Sequence, residues 1–145
     1  MNDRFFLDTN IFVYSFDPST ARMAEEADRL INQALTTGKG VISYQVVQEF
    51  FNVAYRRFPE PMHIEQAEQF LSTVLRPLWA VYSSPALCFR ALQIRDRFRV
   101  QWYDALIVAG ALEAKCGILY SEDLQNGQKF GDLEVRNPFH QSRMR

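Results

Sequence analysis

The chemistry that this sequence offers is concentrated in four acidic residues that lie far apart along the chain. They are Asp8, Glu49, Asp104 and Asp123. Carboxylate oxygens are the ligands that hard divalent ions such as Mg²⁺ prefer in proteins. If the fold gathers all four, mutual repulsion and burial raise their pKa values, so the cluster needs cations to be stable. We therefore expect these four residues to be metal ligands and catalytic residues.

A divalent ion held by such a cluster would provide the means for hydrolysis. It keeps several of its waters and lowers the pKa of a coordinated water, which makes hydroxide available near neutral pH. A second ion, where one binds, would stabilise the leaving oxygen. The reaction that suits this arrangement is in-line hydrolysis of a phosphodiester.

Each acid also has an explanation without function. Asp8 could end a strand or cap the short helix after it, and Glu49 could belong to a solvated helix face. Asp104 is expected in the first turn of a helix, where the helix dipole favours a negative charge by about 0.3–1 kcal/mol. Asp123 could cap a turn. Only the grouping of all four distinguishes a functional cluster from these separate roles.

The elements that must position these residues are predicted from the spacing of apolar residues. Short apolar runs predict strands at residues 4–7, 41–42, 78–82 and 118–120, and residues 133–135 predict a final edge strand. Longer stretches predict helices at 10–16, from the Asp17-Pro18-Ser19 start to 37, and at 44–57, 64–76, 85–98 and 103–115. Ser43 is expected to cap the helix after it, and Gly38 and Gly40 to end the helix before them.

Strands separated by helices predict an α/β fold with a mostly parallel central sheet covered on both faces. The carboxyl ends of its strands lie along one edge, where ligands collect in such folds. Asp8 directly follows the first strand, and Asp123 lies three residues beyond the strand at 118–120. Asp104 and Glu49 lie in the early turns of their helices. The fold therefore predicts that the four acids converge near one edge.

Composition indicates a globular chain with a real core, and we expect residues 1–145 to form a single domain. Hydrophobic residues make up 48% of the chain, and its formal net charge is -1. This charge excludes the strongly basic class of proteins that coat DNA, although local patches can still bind nucleic acid. We expect a cytoplasmic protein with no membrane association, in which Cys88 and Cys116 are buried free thiols.

Four blocks of sequence around the acids resemble the PIN-domain nucleases, and are most similar to the VapC-like toxins of bacterial toxin–antitoxin pairs. The blocks are FLDTN at 6–10, SYQVVQEF at 43–50, YDALIVA at 103–109 and ILYSEDL at 118–124. They occur in the order of the family and span most of the chain. No single block is specific, but four in order make a strong signal.

The resemblance implies a Rossmann-like α/β/α sandwich, Mg²⁺ or Mn²⁺ as cofactor, and endonucleolytic cleavage of RNA. It also implies a homodimer and a cognate antitoxin protein that blocks the site. The acidic residues of the family carry over to Asp8, Glu49, Asp104 and Asp123. Second-shell positions carry over to Thr9, Asn10 and Ser121, where they would orient carboxylates or waters. Glu122 adjoins Asp123 and could assist or replace it.

Several other features have competing interpretations. A run of arginines before Asp104 could steer phosphates, but a solvated helix face is the expectation; its members are Arg90, Arg95, Arg97 and Arg99. Trp102 and Tyr103 could stack on a base, but aromatic residues beside a buried helix are expected in the core.

Three alternatives to a toxin nuclease remain open. They are a non-catalytic RNA- or protein-binding module, a stand-alone RNA-processing nuclease, and a small α/β phosphatase with an Asp nucleophile after the first strand. The phosphatase is disfavoured, because such folds commonly want a second Asp where this chain has Asn10.

Overall fold

The computed structural model describes residues 3–140, in which strands alternate with helices. The strands are β1 (Phe5–Leu7), β2 (Gly40–Ser43), β3 (Trp79–Val81), β4 (Ile118–Tyr120), β5 (Lys129–Phe130) and β6 (Leu133–Arg136). The helices are α1 (Thr9–Tyr14), α2 (Ala21–Thr37), α3 (Tyr44–Arg57), α4 (Ile64–Phe70), α5 (Arg76–Leu78), α6 (Pro85–Phe98) and α7 (Trp102–Glu113). A π-helical turn at Leu71–Leu75 joins α4 to α5.

The strands form one mixed sheet in the order β3-β2-β1-β4-β6-β5. Neighbouring strands run parallel, except that β5 is antiparallel to β6. The central strands β1 and β2 are buried at every residue, as expected where helices flank a parallel sheet. The predicted α/β class with a mostly parallel central sheet is confirmed.

Helix α7 is the central helix of the fold. Its side chains are almost all apolar, and it packs against α6 and against strands β2 and β4. Asp104 lies in its first turn and is the one acidic residue there. Because the rest of the helix is fixed in the core, the position of Asp104 is fixed as well.

Residues 133–135 lie in a strand, as predicted, but the prediction that this strand forms the edge of the sheet was wrong. Strand β6 lies inside the sheet, between β4 and β5. The edge is formed by β5, a strand of two residues that the sequence did not predict because so short a run has no readable alternation. The turn between the two strands includes Gly131, whose φ of 64° favours glycine.

Helix α2 starts later than predicted, whereas α3 starts where predicted but without the expected cap. Helix α2 begins at Ala21 rather than at Asp17-Pro18-Ser19, because Oδ1 of Asp17 accepts hydrogen bonds from the Ser19 amide and hydroxyl and holds a turn instead. Ser43 occupies the N-cap position of α3, but its side chain makes no capping hydrogen bond. Ser84 does cap α6, where its Oγ accepts a 3.1 Å hydrogen bond from the Leu87 amide.

The two glycines expected to end α2 have different roles. Gly38 is the C-cap residue, with a φ of 71°. Gly40 is instead the first residue of β2, and an added Cβ there would lie 2.1 Å from the Cβ of Ala34. The close approach of α2 to β2 therefore requires glycine at this position.

Within residues 3–140, no helix has the length and apolar character needed to cross a membrane. Of the two cysteines expected to be buried, Cys116 is buried but Cys88 is exposed. Cys88 lies on the outer side of α6, whose buried side is formed by Leu87, Ala91 and Ile94.

Candidate active site

Asp8 stands at the carboxyl end of β1 and is the most deeply buried of the four acids. Its side chain is held from two directions. Oδ1 accepts a 2.7 Å hydrogen bond from the Thr9 amide, as the N-cap of α1, and Oδ2 accepts a 2.8 Å hydrogen bond from the hydroxyl of Ser121. Only 4% of the residue is exposed. Donors at the start of α1 and just after β4 therefore fix the orientation of the Asp8 carboxylate.

The surroundings of Asp8 act on its pKa in opposing ways. Burial raises the pKa to about 7, while the hydrogen bonds from Ser121 and Thr9 lower it. The charges of Asp123 and Glu49 raise it further. Two neighbouring negative charges therefore act on Asp8 in the same direction as its burial.

Glu49 is half-buried and is tied to two other elements. Its Oε1 accepts a 2.7 Å hydrogen bond from the hydroxyl of Thr9, and its Oε2 accepts a 3.0 Å hydrogen bond from Nε2 of Gln45. The same Nε2 lies 3.1 Å from the carbonyl oxygen of Tyr103, to which it also donates. Glu49 is thus not a freely solvated side chain of α3, because Thr9 of α1 and Gln45, which is itself bonded to α7, fix its carboxylate.

Asp104 and Asp123 line one side of an open cavity of about 520 Å³. Burial raises the pKa of Asp104, and the charges of Asp123 and Glu49 raise it further. Asp123 is exposed; its Oδ1 accepts a 3.3 Å hydrogen bond from Nδ2 of Asn10. The electrostatic contacts thus connect all four predicted acids, because Asp8 and Asp104 both respond to Glu49 and Asp123.

The neighbour of Asp123 faces a different group. Glu122 accepts a 2.8 Å hydrogen bond from the hydroxyl of Tyr14. Burial raises the pKa of Tyr14 to about 12, and the bond to Glu122 contributes to the same shift. Asp123, rather than Glu122, lies beside Asp104 in the cavity lining. This arrangement favours Asp123 as the acid of the cluster and gives Glu122 a separate partner.

The predicted second-shell residues all contact an acid. Thr9 contacts Asp8 through its amide and Glu49 through its hydroxyl, and Asn10 contacts Asp123. The hydroxyl of Ser121 donates to Asp8 and accepts a 3.2 Å hydrogen bond from the Asp123 amide. Three polar side chains thus fix the orientations of three acids.

Sequence reasoning missed Gln45 and misplaced Tyr103. Gln45 precedes Glu49 by four residues, a spacing that puts both on one helix face and would have indicated their contact. Tyr103 was expected in the core but is 66% exposed beside Asp104. Trp102 is half-buried and packs against the core.

The four acids suit a cation that keeps part of its water shell better than one surrounded entirely by protein ligands. All the side chains involved are carboxylates, which suit Mg²⁺ or Mn²⁺ rather than zinc. Among residues 3–140, however, no three Asp, Glu, His or Cys side chains are arranged closely enough to hold one ion directly. Mg²⁺ keeps several of its waters in proteins, and water-mediated contacts to some of these acids would meet its needs.

Several solved structures have a similar fold. A structure described as FitAB bound to an IR36 DNA fragment has a TM-score of 0.70 at 19% identity, over 97% of this chain and 99% of the other. A toxin–antitoxin complex from Klebsiella pneumoniae has a TM-score of 0.64 at 20% identity, over 92% of this chain and 97% of the other. VapC20 from Mycobacterium tuberculosis, described as a sarcin–ricin loop cleaving toxin, has a TM-score of 0.59 at 21% identity, over 81% of this chain and 88% of the other.

Sequence comparison identifies the family directly. No curated protein sequence matches this chain significantly. The model of one family, described as the PIN domain, matches residues 5–126. This span covers all four acids and every strand up to β4. Because this match extends over most of the length of the chain, the chain belongs to the PIN-domain family.

Proposed function

We propose that this protein is a metal-dependent endoribonuclease that hydrolyses RNA phosphodiester bonds and acts as the toxin of a toxin–antitoxin pair. The observation that carries the proposal is the coupling of Asp8 and Asp104 to the same two acids, Glu49 and Asp123, whose negative charges raise the pKa of both. A cluster of like charges at the ligand-binding edge of a parallel sheet suits divalent metal.

In this proposal Asp8, Glu49, Asp104 and Asp123 hold Mg²⁺ or Mn²⁺. When bound, the metal supplies a water of lowered pKa and neutralises charge on the reacting phosphate. The protein fixes the geometry: Ser121 and the Thr9 amide orient Asp8. Such outer contacts matter, because losing one typically costs about 10- to 100-fold in metal affinity or activity.

Glu49 and Asp123 are oriented by their own neighbours. Thr9 and Gln45 each donate to one oxygen of Glu49, so both of its oxygens have a fixed partner. Asn10 donates to Asp123, the most exposed of the four acids. Asp123 is thus the acid with the most freedom to meet an incoming substrate, while Asp8 is the fixed anchor of the site.

The choice of RNA and of a toxin role is supported by the similar structures. One is described as a sarcin–ricin loop cleaving toxin, another as a toxin–antitoxin complex, and a third as VapBC2 from Rickettsia felis bound to a DNA fragment from its promoter. By the same comparison we propose an antitoxin protein as partner. The sequence resemblance described above is the ground on which we also propose a homodimer, and we propose the cytoplasm as the place of action.

The test is cleavage of labelled RNA and single-stranded DNA with Mg²⁺, Mn²⁺ or EDTA, using wild type, Asp104→Asn and Asp96→Asn. Wild type should cut RNA only with metal. Asp104→Asn should lose at least about 100-fold in rate, since metal contributes several kcal/mol to such reactions. Asp96 is an exposed acid of α6, outside the cluster. Asp96→Asn removes the same charge there and should cut RNA at the rate of wild type. Equal cutting by Asp104→Asn and wild type would refute the proposal.

A second candidate is a non-catalytic module that binds RNA or protein at the same edge. The absence of three closely spaced ligands among residues 3–140 favours it. It predicts RNA binding without cleavage in any metal and no growth arrest on expression. A nuclease that cuts RNA without arresting growth would instead point to a stand-alone RNA-processing enzyme.

A further inference from the structure

A second cavity lies at the amino ends of the strands, whereas the four acids lie at their carboxyl ends. It encloses about 480 Å³, and its lining includes Lys115 and Cys116, just before β4, and Gly131 and Asp132, just before β6. It is therefore at the amino ends of these strands. The two cavities lie on either side of β4 along the chain, since Lys115 and Cys116 precede the strand and Asp123 and Leu124 follow it.

The second cavity carries a net positive charge. Arg90, Arg97 and Lys115 line it, against a single acid, Asp132. Among residues 3–140, none of the three cations forms an ion pair. The guanidinium of Arg97 lies 5.4 Å from the ring centroid of Phe98, a contact that leaves its N–H groups available. The lining thus offers free cationic donors to an anionic ligand.

The linings of the two cavities include residues that are neighbours in the sequence. Phe98 lines the cationic cavity, and the next residue, Arg99, lines the cavity that holds Asp104 and Asp123. Arg99 is also free of ion pairs within the described chain. Four cations, here called the cationic row, therefore line the two cavities: Arg90, Arg97, Arg99 and Lys115. The four arginines that precede Asp104 are thus divided, since Arg95 lines neither cavity.

Two of these cations occupy backbone positions that disfavour them. Arg99 has a φ of 62° and Lys115 a φ of 60°, and they are the non-glycine residues with positive φ among residues 3–140. The left-handed region costs an ordinary residue about 1–2 kcal/mol, whereas glycine adopts it freely. Strained positions of this kind cluster at functional sites. One such cation lines each cavity.

We propose that this row, Arg90, Arg97, Arg99 and Lys115, binds the phosphate backbone of single-stranded RNA that extends from the acidic cluster into the cationic cavity. The proposal rests on the proposed nuclease function for its choice of RNA. A polyanion fits better than a small anion, because the cations are spread over two cavities rather than focused on one point. Bound RNA would replace the missing counter-charges along the whole row.

The strained positions allow a test that does not threaten folding. Arg99→Gly/Lys115→Gly removes two charges and relieves two left-handed residues, so it should fold with about the stability of its parent. Arg56→Gln/Arg57→Gln removes the same charge from the exposed end of α3 and serves as the matched control. Both pairs are made in Asp104→Asn, so that RNA is not consumed while its binding is measured.

Binding of fluorescent oligouridylate of about 20 nucleotides is titrated over a range of KCl concentrations. Each phosphate contact contributes about -0.7 to the slope of log K against log salt. The glycine pair should therefore reduce the slope by about 1.4, while the control pair leaves it unchanged. A dinucleotide has a single internucleotide phosphate and cannot contact cations of both cavities at once, so it should lose less of its salt dependence than the longer RNA.

Equal slopes for the two pairs, or equal losses for the two RNA lengths, would overturn the proposal. So would unchanged RNA binding combined with weaker binding of polyglutamate, which would assign the row to an acidic protein. The outcome is separable from the nuclease test. If wild type cuts no RNA but the slopes differ as expected, RNA binding by the cationic row is supported and the nuclease function is contradicted. If wild type cuts RNA but the slopes are equal, the nuclease function is supported and RNA binding by the row is contradicted.

Discussion

The hydroxyl of Thr9 donates a 2.7 Å hydrogen bond to Oε1 of Glu49, across 40 residues of sequence. This bond joins the first turn of α1 to the middle of α3. The Thr9 amide donates to Asp8 at the same time, so one residue holds two acids of the candidate site. The orientation of Glu49 therefore depends on a side chain from another helix.

Replacing Thr9 by Val should separate these two roles. Thr9→Val keeps the amide bond to Asp8 and the β-branched shape but removes the hydroxyl that fixes Glu49. We expect RNA cleavage to fall about 10- to 100-fold, with a matching loss of Mn²⁺ affinity. Thr9→Ser retains the hydroxyl and should stay within a few-fold of wild type. Calorimetric Mn²⁺ titration checks the affinity; equal affinities for Thr9→Val and wild type would contradict this role.

The metal-free protein should lose stability as the pH rises from about 4 to about 7. The pKa of Asp8 is about 7 in the folded state against an ordinary value of 3.8, so in this window the folded chain binds more protons than the unfolded chain. The contribution of Asp8 to the free energy of unfolding then falls with rising pH, by on the order of 4 kcal/mol in total.

Urea unfolding in EDTA at several pH values checks this dependence. Asp8→Asn is neutral in both states, so its stability relative to wild type should increase toward pH 7. Metal binding favours the ionised carboxylate, and Mn²⁺ affinity of wild type should therefore rise over the same range. A constant difference between the two proteins across the window would show that Asp8 is not protonated in the folded state.

Gly40→Ala should strongly destabilise the fold. An added Cβ would lie 2.1 Å from the Cβ of Ala34 and 2.8 Å from its Cα, so α2 and β2 must separate. We expect a loss on the order of 1–3 kcal/mol or more in the free energy of unfolding. Ala34→Gly in the same chain removes the nearest atom and should restore part of this loss. Additive losses in the double variant would contradict the steric explanation.

The two cysteines should differ in reactivity. Cys88 is exposed on α6, whereas burial raises the pKa of the Cys116 thiol to about 12. A disulfide reagent such as DTNB should therefore modify one thiol rapidly in the folded protein and the second only in denaturant. Cys88→Ser should abolish the rapid phase. Rapid modification of Cys88→Ser would show that Cys116 is accessible.

The sequence predicted the sheet's parallel strands well, because β1, β2 and β4 are short apolar runs with a polar residue after each. It could not predict β5, which is too short to show a pattern, or that β6 lies inside the sheet. That position depends on which strand pairs with β4, and such long-range pairing leaves no trace in local periodicity.

The candidate site was predicted more completely in its acids than in its supporting contacts. Asp8, Asp104 and Asp123 could be placed from strand ends and helix starts alone. The contacts made by Gln45 could not, because its amide reaches Glu49 on its own helix and the Tyr103 carbonyl 58 residues away. Tyr103 was misplaced because high mean hydropathy in α7 hides the one side of its first turn that faces solvent.

The bond from Ser121 to Asp8 spans 113 residues, nearly the whole separation between Asp8 and Asp123, the first and last acids of the candidate site. A growing chain on the ribosome therefore contains its first carboxylate long before the hydroxyl that orients it exists. Asp123 is made later still, and Asn10 must wait the same 113 residues for it. The centre can be assembled only after Asp123 has been synthesised, so translation itself delays the moment at which the proposed metal site can form.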